Sequence, residues 1–275
     1  MAAQQKQIAL VRDAGTKDVA VVISTLAEYG IPSAMYGVNA ATHHNGGLCP
    51  LDIELVVNEE DQSRAFDLLT AQGALPMVPV NSITERPTDF NQWRQLAKSY
   101  QYFDRCRTRL STPIYQLPPT EDALDDMLLP FVVLYSAESV GLPPVPSVKS
   151  DKQTLPSKTM ASTNAYVSLS TLSSLDTAQG TTQRNGSCLI PTFSKLVKSE
   201  MHILLSHAEF HSPVWGQHMA QLSELINSRD PGDLSLDLSP RYADFLEWVL
   251  LSMKGDADYA ELDGLKESYR QEQLP

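Results

Sequence analysis

Hydrophobic periodicity in the first eighty residues switches repeatedly between the helical and the extended repeat, which restricts the chain to layered folds of sheet and helix. Val19, Val22, Ile23 and Leu26 recur at i, i+3, i+4 and i+7 behind Thr16, a residue suited to capping a helix, and Gly30 and Pro32 stop the run. Residues 31–36 then read as a short buried strand, and residues 39–44 as a helical turn broken by Asn45-Gly46-Gly47. Residues 51–57 alternate and end on a β-branched pair, as a second strand would. Asn58 is placed to cap a further helix. Glu59, Glu60 and Asp61 would sit at the positive end of its dipole, with Ala65, Phe66, Leu68 and Leu69 as its buried stripe and Gly73 as its stop. The α-β-α-β-α order predicts a small mixed sheet with helices packed on it.

The remainder divides the chain. Residues 107–117 and 128–135 read as strands, each bounded or interrupted by proline, and complete an α/β core over residues 1–142. Residues 143–190 form a connecting region, rich in Pro, Ser and Thr over 143–164 and irregular again over 176–187, with room for one strand. From residue 191 to 275 the pattern is helical. One stripe is Phe193, Leu196, Val197, Met201, Leu204 and Leu205, and a second is Trp215, Met219, Leu222 and Ile226. A third, Tyr242, Phe245, Leu246, Val249, Leu250 and Met253, is framed by Ser239-Pro240 and Gly255. A last charged helix spans residues 259–272. The expected fold class is therefore α+β or α/β, a small mixed-sheet core followed by a helical C-terminal subdomain.

The 275 residues carry a formal charge of −12, from 33 acidic and 21 basic side chains. A surface of that sign repels phosphate backbones, so a nucleic acid is not the expected partner. No apolar run approaches the ~20 residues needed to span a bilayer, and the first residues lack the apolar stretch of a secretory signal, so no membrane association is expected. Cys49, Cys106 and Cys188 are odd in number and widely spaced, without a disulfide or zinc pattern. They suit a reducing compartment, and the chain reads as cytoplasmic.

The stretch most suggestive of chemistry runs over residues 35–57. It places Gly37 at a strand end, a helical turn behind it, and Asp52 and Glu54 at alternate positions of the next strand. Alternation would set both carboxylates on one face, where their mutual repulsion is relieved by a hard cation such as Mg²⁺. A glycine at the strand end lets a phosphate approach the backbone.

Tyr36-Gly37-Val38 followed by Asp52-Ile53-Glu54-Leu55 resembles the signature of the nucleotidyltransferase superfamily, a strand-end glycine motif and then an Asp-x-Asp/Glu strand. The Asp-Ile-Glu form is similar to that of aminoglycoside nucleotidyltransferases. Residues 31–73 also resemble fungal nucleotidyltransferase-like proteins. The resemblance implies that Asp52 and Glu54 hold Mg²⁺ and that Gly37 approaches the phosphates, with Val38 and Asn39 beside it in the nucleotide or ligand site. His43 and His44 lie between the glycine and the carboxylates; adjacent residues diverge on a helix, so one of them, taken as His43, could face the pocket and move a proton. It also implies a third carboxylate on a later strand. Neither 107–117 nor 128–135 contains one, and Asp104, Glu121, Asp122 and Asp176 lie at element edges or in loops. Val38 stands where a phosphate-binding Ser or Gly is usual. The expected function is thus a nucleotidyltransferase-like protein degenerate for nucleotidyl transfer, whose pocket binds a small molecule or serves another reaction. An active metal-dependent transferase acting on a small-molecule acceptor is the alternative.

A third reading is an interaction module presenting the alternating leucines of residues 234–238. His207 and His211, four apart with Glu209 between them, could share a helix face, with His218 nearby, although Ser212-Pro213 follows at once.

Overall fold

The computed structural model describes residues 15–50, 52–70, 78–79, 114–116, 131–147, 165–169, 188–229 and 236–273. Its centre is a mixed sheet of seven strands: β1 (Ser33–Met35), β2 (Ile53–Val57), β3 (Val78–Pro79), β4 (Ile114–Gln116), β5 (Phe131–Ser136), β6 (Tyr166–Leu169) and β7 (Cys188–Pro191). Their order across the sheet is β3-β4-β5-β2-β1-β7-β6. β2 lies in the middle, antiparallel to β1 and parallel to β5, and all five of its residues are buried. A central strand covered on both faces reads as an apolar run, which makes the one acid inside it, Glu54, conspicuous.

Helix α1 (Thr16–Glu28) buries Val19, Val22, Ile23 and Leu26, the stripe expected from the sequence. Its N-cap is Gly15 rather than Thr16, which is already helical. At the other end Gly30, at φ +70, donates to the Ala27 carbonyl at 3.0 Å, and Ile31 donates to the Leu26 carbonyl at 3.0 Å. That pair of bonds is a Schellman stop, closed by the buried Leu26 and Ile31 side chains. Helix α2 (Gly37–Thr42) begins two residues earlier than expected. Helix α3 (Glu59–Thr70) buries Ala65, Leu68 and Leu69. Asn58 spends its side chain outside that helix: Oδ1 accepts from Val145 N at 2.7 Å and Nδ2 donates to the Val145 carbonyl at 3.2 Å, tying residues 142–147 to the core.

Among the described residues four helices follow β7: α4 (Phe193–Ser206), α5 (Pro213–Asn227), α6 (Pro240–Lys254) and α7 (Tyr259–Gln273). They keep the predicted stripes with one exception: Met253, last in its stripe, is exposed. Ser239-Pro240 opens α6, and Gly255, at φ 84, closes it. Helix α7 is rich in charged side chains but buries Leu262, Lys266 and Tyr269 along one side, with the Lys266 ammonium donating to the Ala208 carbonyl and lying 4.9 Å above the Trp215 ring. Among the described residues no helix is long and apolar enough to cross a membrane.

The mixed α/β class expected from the sequence is therefore present. Of the leucines of the interaction reading, Leu236 and Leu238 pack against the core and are partly buried, and Leu234 lies outside the described residues. Gly73, Cys106 and the acids at 104, 121, 122 and 176 lie outside the described residues.

Candidate functional site

Pairing register assigns the faces of the sheet. Glu54 lies opposite Val133 of β5, and Val56 opposite Tyr135, so Glu54 and Tyr135 project from the same face. Ala34 of β1 pairs with Val56, and one step on, Tyr36 N donates to the Glu54 carbonyl at 2.9 Å, which adds Tyr36 to that face. Helix α2 packs on β2, and α4 and α5 reach this face through Ser199 and Gln217, while α1 packs on β1 and β2 and α3 on β5. Glu54, Tyr36 and Tyr135 thus form a buried polar patch under the helical subdomain.

Glu54 is 4% exposed. Oε2 accepts from Val38 N at 2.8 Å, and Oε1 accepts from the Tyr135 hydroxyl at 3.1 Å and from Gln217 Nε2 of α5 at 3.4 Å. Gly37, at φ +54, makes the approach possible: a Cβ built there would overlap the Glu54 carboxylate. Asn39, 2% exposed, turns its side chain inward, where Oδ1 accepts from Glu54 N at 2.8 Å. Three residues expected to meet a ligand, Gly37, Val38 and Asn39, are gathered around Glu54.

Asp52 is half-buried in a bend ahead of β2, which begins at Ile53. The expectation of two carboxylates on one strand face is corrected here, since the pleat does not set the direction of Asp52. Both Glu54 oxygens already receive N–H or O–H donors, and a hard cation would need those same lone pairs. The Glu54 side chain as placed does not fit Mg²⁺. Among the described residues no group of three or more His, Cys, Asp or Glu side chains is arranged to hold a metal ion.

His43 is half-buried just past α2, its Nε2 without a hydrogen-bond partner, and burial followed by the neighbouring His44 lowers its pKa. His44 turns the other way: Nε2 lies 2.9 Å from the Pro191 carbonyl and its ring meets Phe193 edge-on. His207 is the C-cap of α4 and His211 lies beyond the helix at φ 62, so the pair does not share a helix face. The cause is local: α4 stops at Ser206, and Ser212 opens α5 by accepting from Trp215 N at 3.1 Å.

Sequence reasoning missed a second buried carboxylate. Glu200 of α4 and His218 of α5 are both fully buried, with Oε2 and Nδ1 2.6 Å apart. With its amide nitrogen toward Glu200, Gln221 donates to Oε1 at 3.0 Å and Oε2 at 3.3 Å. The Tyr36 hydroxyl lies 2.7 Å from Ser199 Oγ, which donates to the Val140 carbonyl at 2.6 Å. Burial first, and then the charge of Glu200, push the Tyr36 phenol well above its usual range. The signal in the sequence was an acid inside the apolar stripe of α4 and the Gln217, His218, Gln221 spacing on α5, which puts all three toward one side.

No protein-family model and no curated protein matches the chain.

Proposed function

We propose that the chain is a nucleotidyltransferase-like protein that does not transfer nucleotides and acts by binding a small molecule. The observation that carries this reading is the state of Glu54. The acid at the second position of the Asp-x-Glu motif is directed onto the glycine turn, where it takes the Val38 N–H that a phosphate would need. The neighbouring strand supports the same reading. Its side chain reaching Glu54 is Tyr135, a neutral phenol where the resemblance implies a third carboxylate. A phenol that donates to Glu54 cannot serve as the base that activates an attacking hydroxyl.

Isothermal titration of the full chain with ATP and Mg²⁺ tests the proposal. No saturable, metal-dependent heat is expected at micromolar to low-millimolar nucleotide. Micromolar binding that disappears with EDTA and with Asp52→Asn would overturn it in favour of an active transferase.

A further inference from the structure

The loop between α4 and α5 and the start of α7 bring three rings together at the surface of the helical part. Phe210 is half-buried, and the His211 ring lies against it at 3.8 Å between centroids. His211 is exposed and holds φ 62, a backbone conformation that favours glycine. Tyr259, the first residue of α7, meets Phe210 at 5.3 Å and the buried Trp248 edge to face at 5.7 Å. It is nonetheless 53% exposed, more than Tyr29, Val167 or Met253. Trp215 supports the group from beneath, meeting Phe210 at 5.3 Å while the Lys266 ammonium lies over its ring.

Aromatic side chains scattered singly on a surface need no explanation, but a contiguous group resting on a buried aromatic layer does. Phe210 and Trp248 fix the Tyr259 ring before anything binds, so little rotamer entropy is lost when a partner covers it. Carboxylates frame the same ring. Asp256 and Asp258 precede it, Asp258 taking the Ala260 N–H at 2.9 Å with one oxygen. Asp263 follows one turn along α7 on the side of Tyr259, and all three acids are exposed. An aromatic face beside carboxylates selects a cation, and a guanidinium suits both at once, its plane against the ring and its fork toward an acid. A second copy of this chain is a poor occupant, because two surfaces of charge −12 repel. We propose that the face formed by Phe210, His211 and Tyr259 docks a basic segment of a partner protein, with an arginine stacked on Tyr259. The face is separate from Glu54 and does not rest on the nucleotidyltransferase reading.

The test is calorimetric titration of the full chain with hexa-arginine and hexa-lysine peptides at physiological ionic strength, where unspecific attraction is screened. Hexa-arginine should bind at least about threefold tighter than hexa-lysine. Tyr259→Leu keeps apolar bulk without the ring, and should weaken hexa-arginine about two- to fivefold and remove its advantage. Tyr259→Phe should bind like the parent. Asp263→Asn should weaken both peptides, whereas Asp67→Asn, an equal loss of charge on α3, which packs on β5, should weaken neither. In the unsubstituted chain, hexa-arginine should shift the ring NMR signals of Tyr259 and His211 while those of Tyr29, 46% exposed at the end of α1, stay in place. That measurement decides the matter even if Tyr259→Leu folds poorly. No saturable binding, equal affinity for the two peptides, parent-like binding by Tyr259→Leu, an equal loss in Asp67→Asn and Asp263→Asn, or shifts at Tyr29 as large as at Tyr259 would each overturn the proposal. So would saturation by N-acetylarginine amide at the same concentration, which would mean a small guanidinium ligand, or a dimer dispersed by Tyr259→Leu, which would place a second copy on the face.

Discussion

Removing the Glu54 side chain distinguishes an acid that holds structure from one kept for chemistry. In Glu54→Ala the Tyr135 hydroxyl and the Val38 N–H lose their acceptor, and Gln217 loses a weaker one. An orphaned buried donor costs about 1–3 kcal/mol. Tyr135 is fully buried and should bear the larger share of that loss, whereas Val38 is half-buried and recovers part of it from water. Relief from burying a carboxylate offsets some of the remainder, leaving a net loss of about 3 kcal/mol. Glu54→Gln keeps the volume and one acceptor oxygen and should lose about 1–2 kcal/mol. Asp52→Asn, in the bend ahead of the strand, should change stability by less than about 1 kcal/mol. Gly37→Ala adds a methyl group that overlaps Glu54, plus the strain of φ +54, and should cost about 2–4 kcal/mol. In a Glu54→Ala background the overlap vanishes and only the strain of about 1 kcal/mol remains, so the two substitutions should couple strongly. Urea midpoints at constant m-value measure all five variants. An acid maintained for catalysis at the expense of stability gives the opposite sign, a gain on removal. A Glu54→Ala protein as stable as the parent, or additivity with Gly37→Ala, would refute the structural role.

Two further outcomes follow from the helical part. Burial, reinforced by His207, lowers the His202 pKa from 6.5 to about 4, so the fold favours the neutral ring; this contribution is complete above pH 6.5 and is lost as pH falls toward 4, by about 2 kcal/mol at pH 5. Urea midpoints at pH 7.5 and 5.0 should fall further in the parent than in His202→Gln by about that amount, and equal falls would show that another group is responsible. Unfolding should also be a single event for sheet and helices, seen as coincident urea transitions in far-UV circular dichroism and in the fluorescence of Trp215 and Trp248 on a Trp93→Phe background. Separate midpoints would mean that the helices form an independent domain.

The sequence made the element order legible because its periodicities are strong where the elements are well buried. The stripes of α1, α4 and α5 and the Ser-Pro and Gly frame of α6 could be read directly from spacing. The direction of a polar side chain was not legible in the same way. Asp-Ile-Glu looks the same whether its acids face solvent, a metal or the backbone of the preceding helix, and only the left-handed Gly37 decides that Glu54 turns inward. Asn58 misled for a similar reason. Its side chain suits a helix cap, but a long-range partner, the backbone of Val145, competed successfully for it. His207 and His211 have helical spacing, and the helix ends between them. Glu200 and His218 escaped notice because each is unremarkable alone, and they become a pair only when α4 and α5 pack.

That packing bears on how the two halves can work. Helix α5 directs Gln217 to Glu54 of the sheet, and His218 and Gln221 to Glu200 of α4. One turn of helix therefore serves two buried carboxylates, one on each side of the junction. Lifting α5 from the sheet would take from Glu200 both α5 side chains that meet it in an apolar setting and from Glu54 one weaker donor, a cost added to that of parting the apolar surfaces. A cleft that opens and closes between core and helices during a catalytic cycle is hard to reconcile with such an arrangement. The geometry suits a rigid junction, and it moves the search for a ligand away from the motif and toward surfaces that stay accessible while α5 is docked.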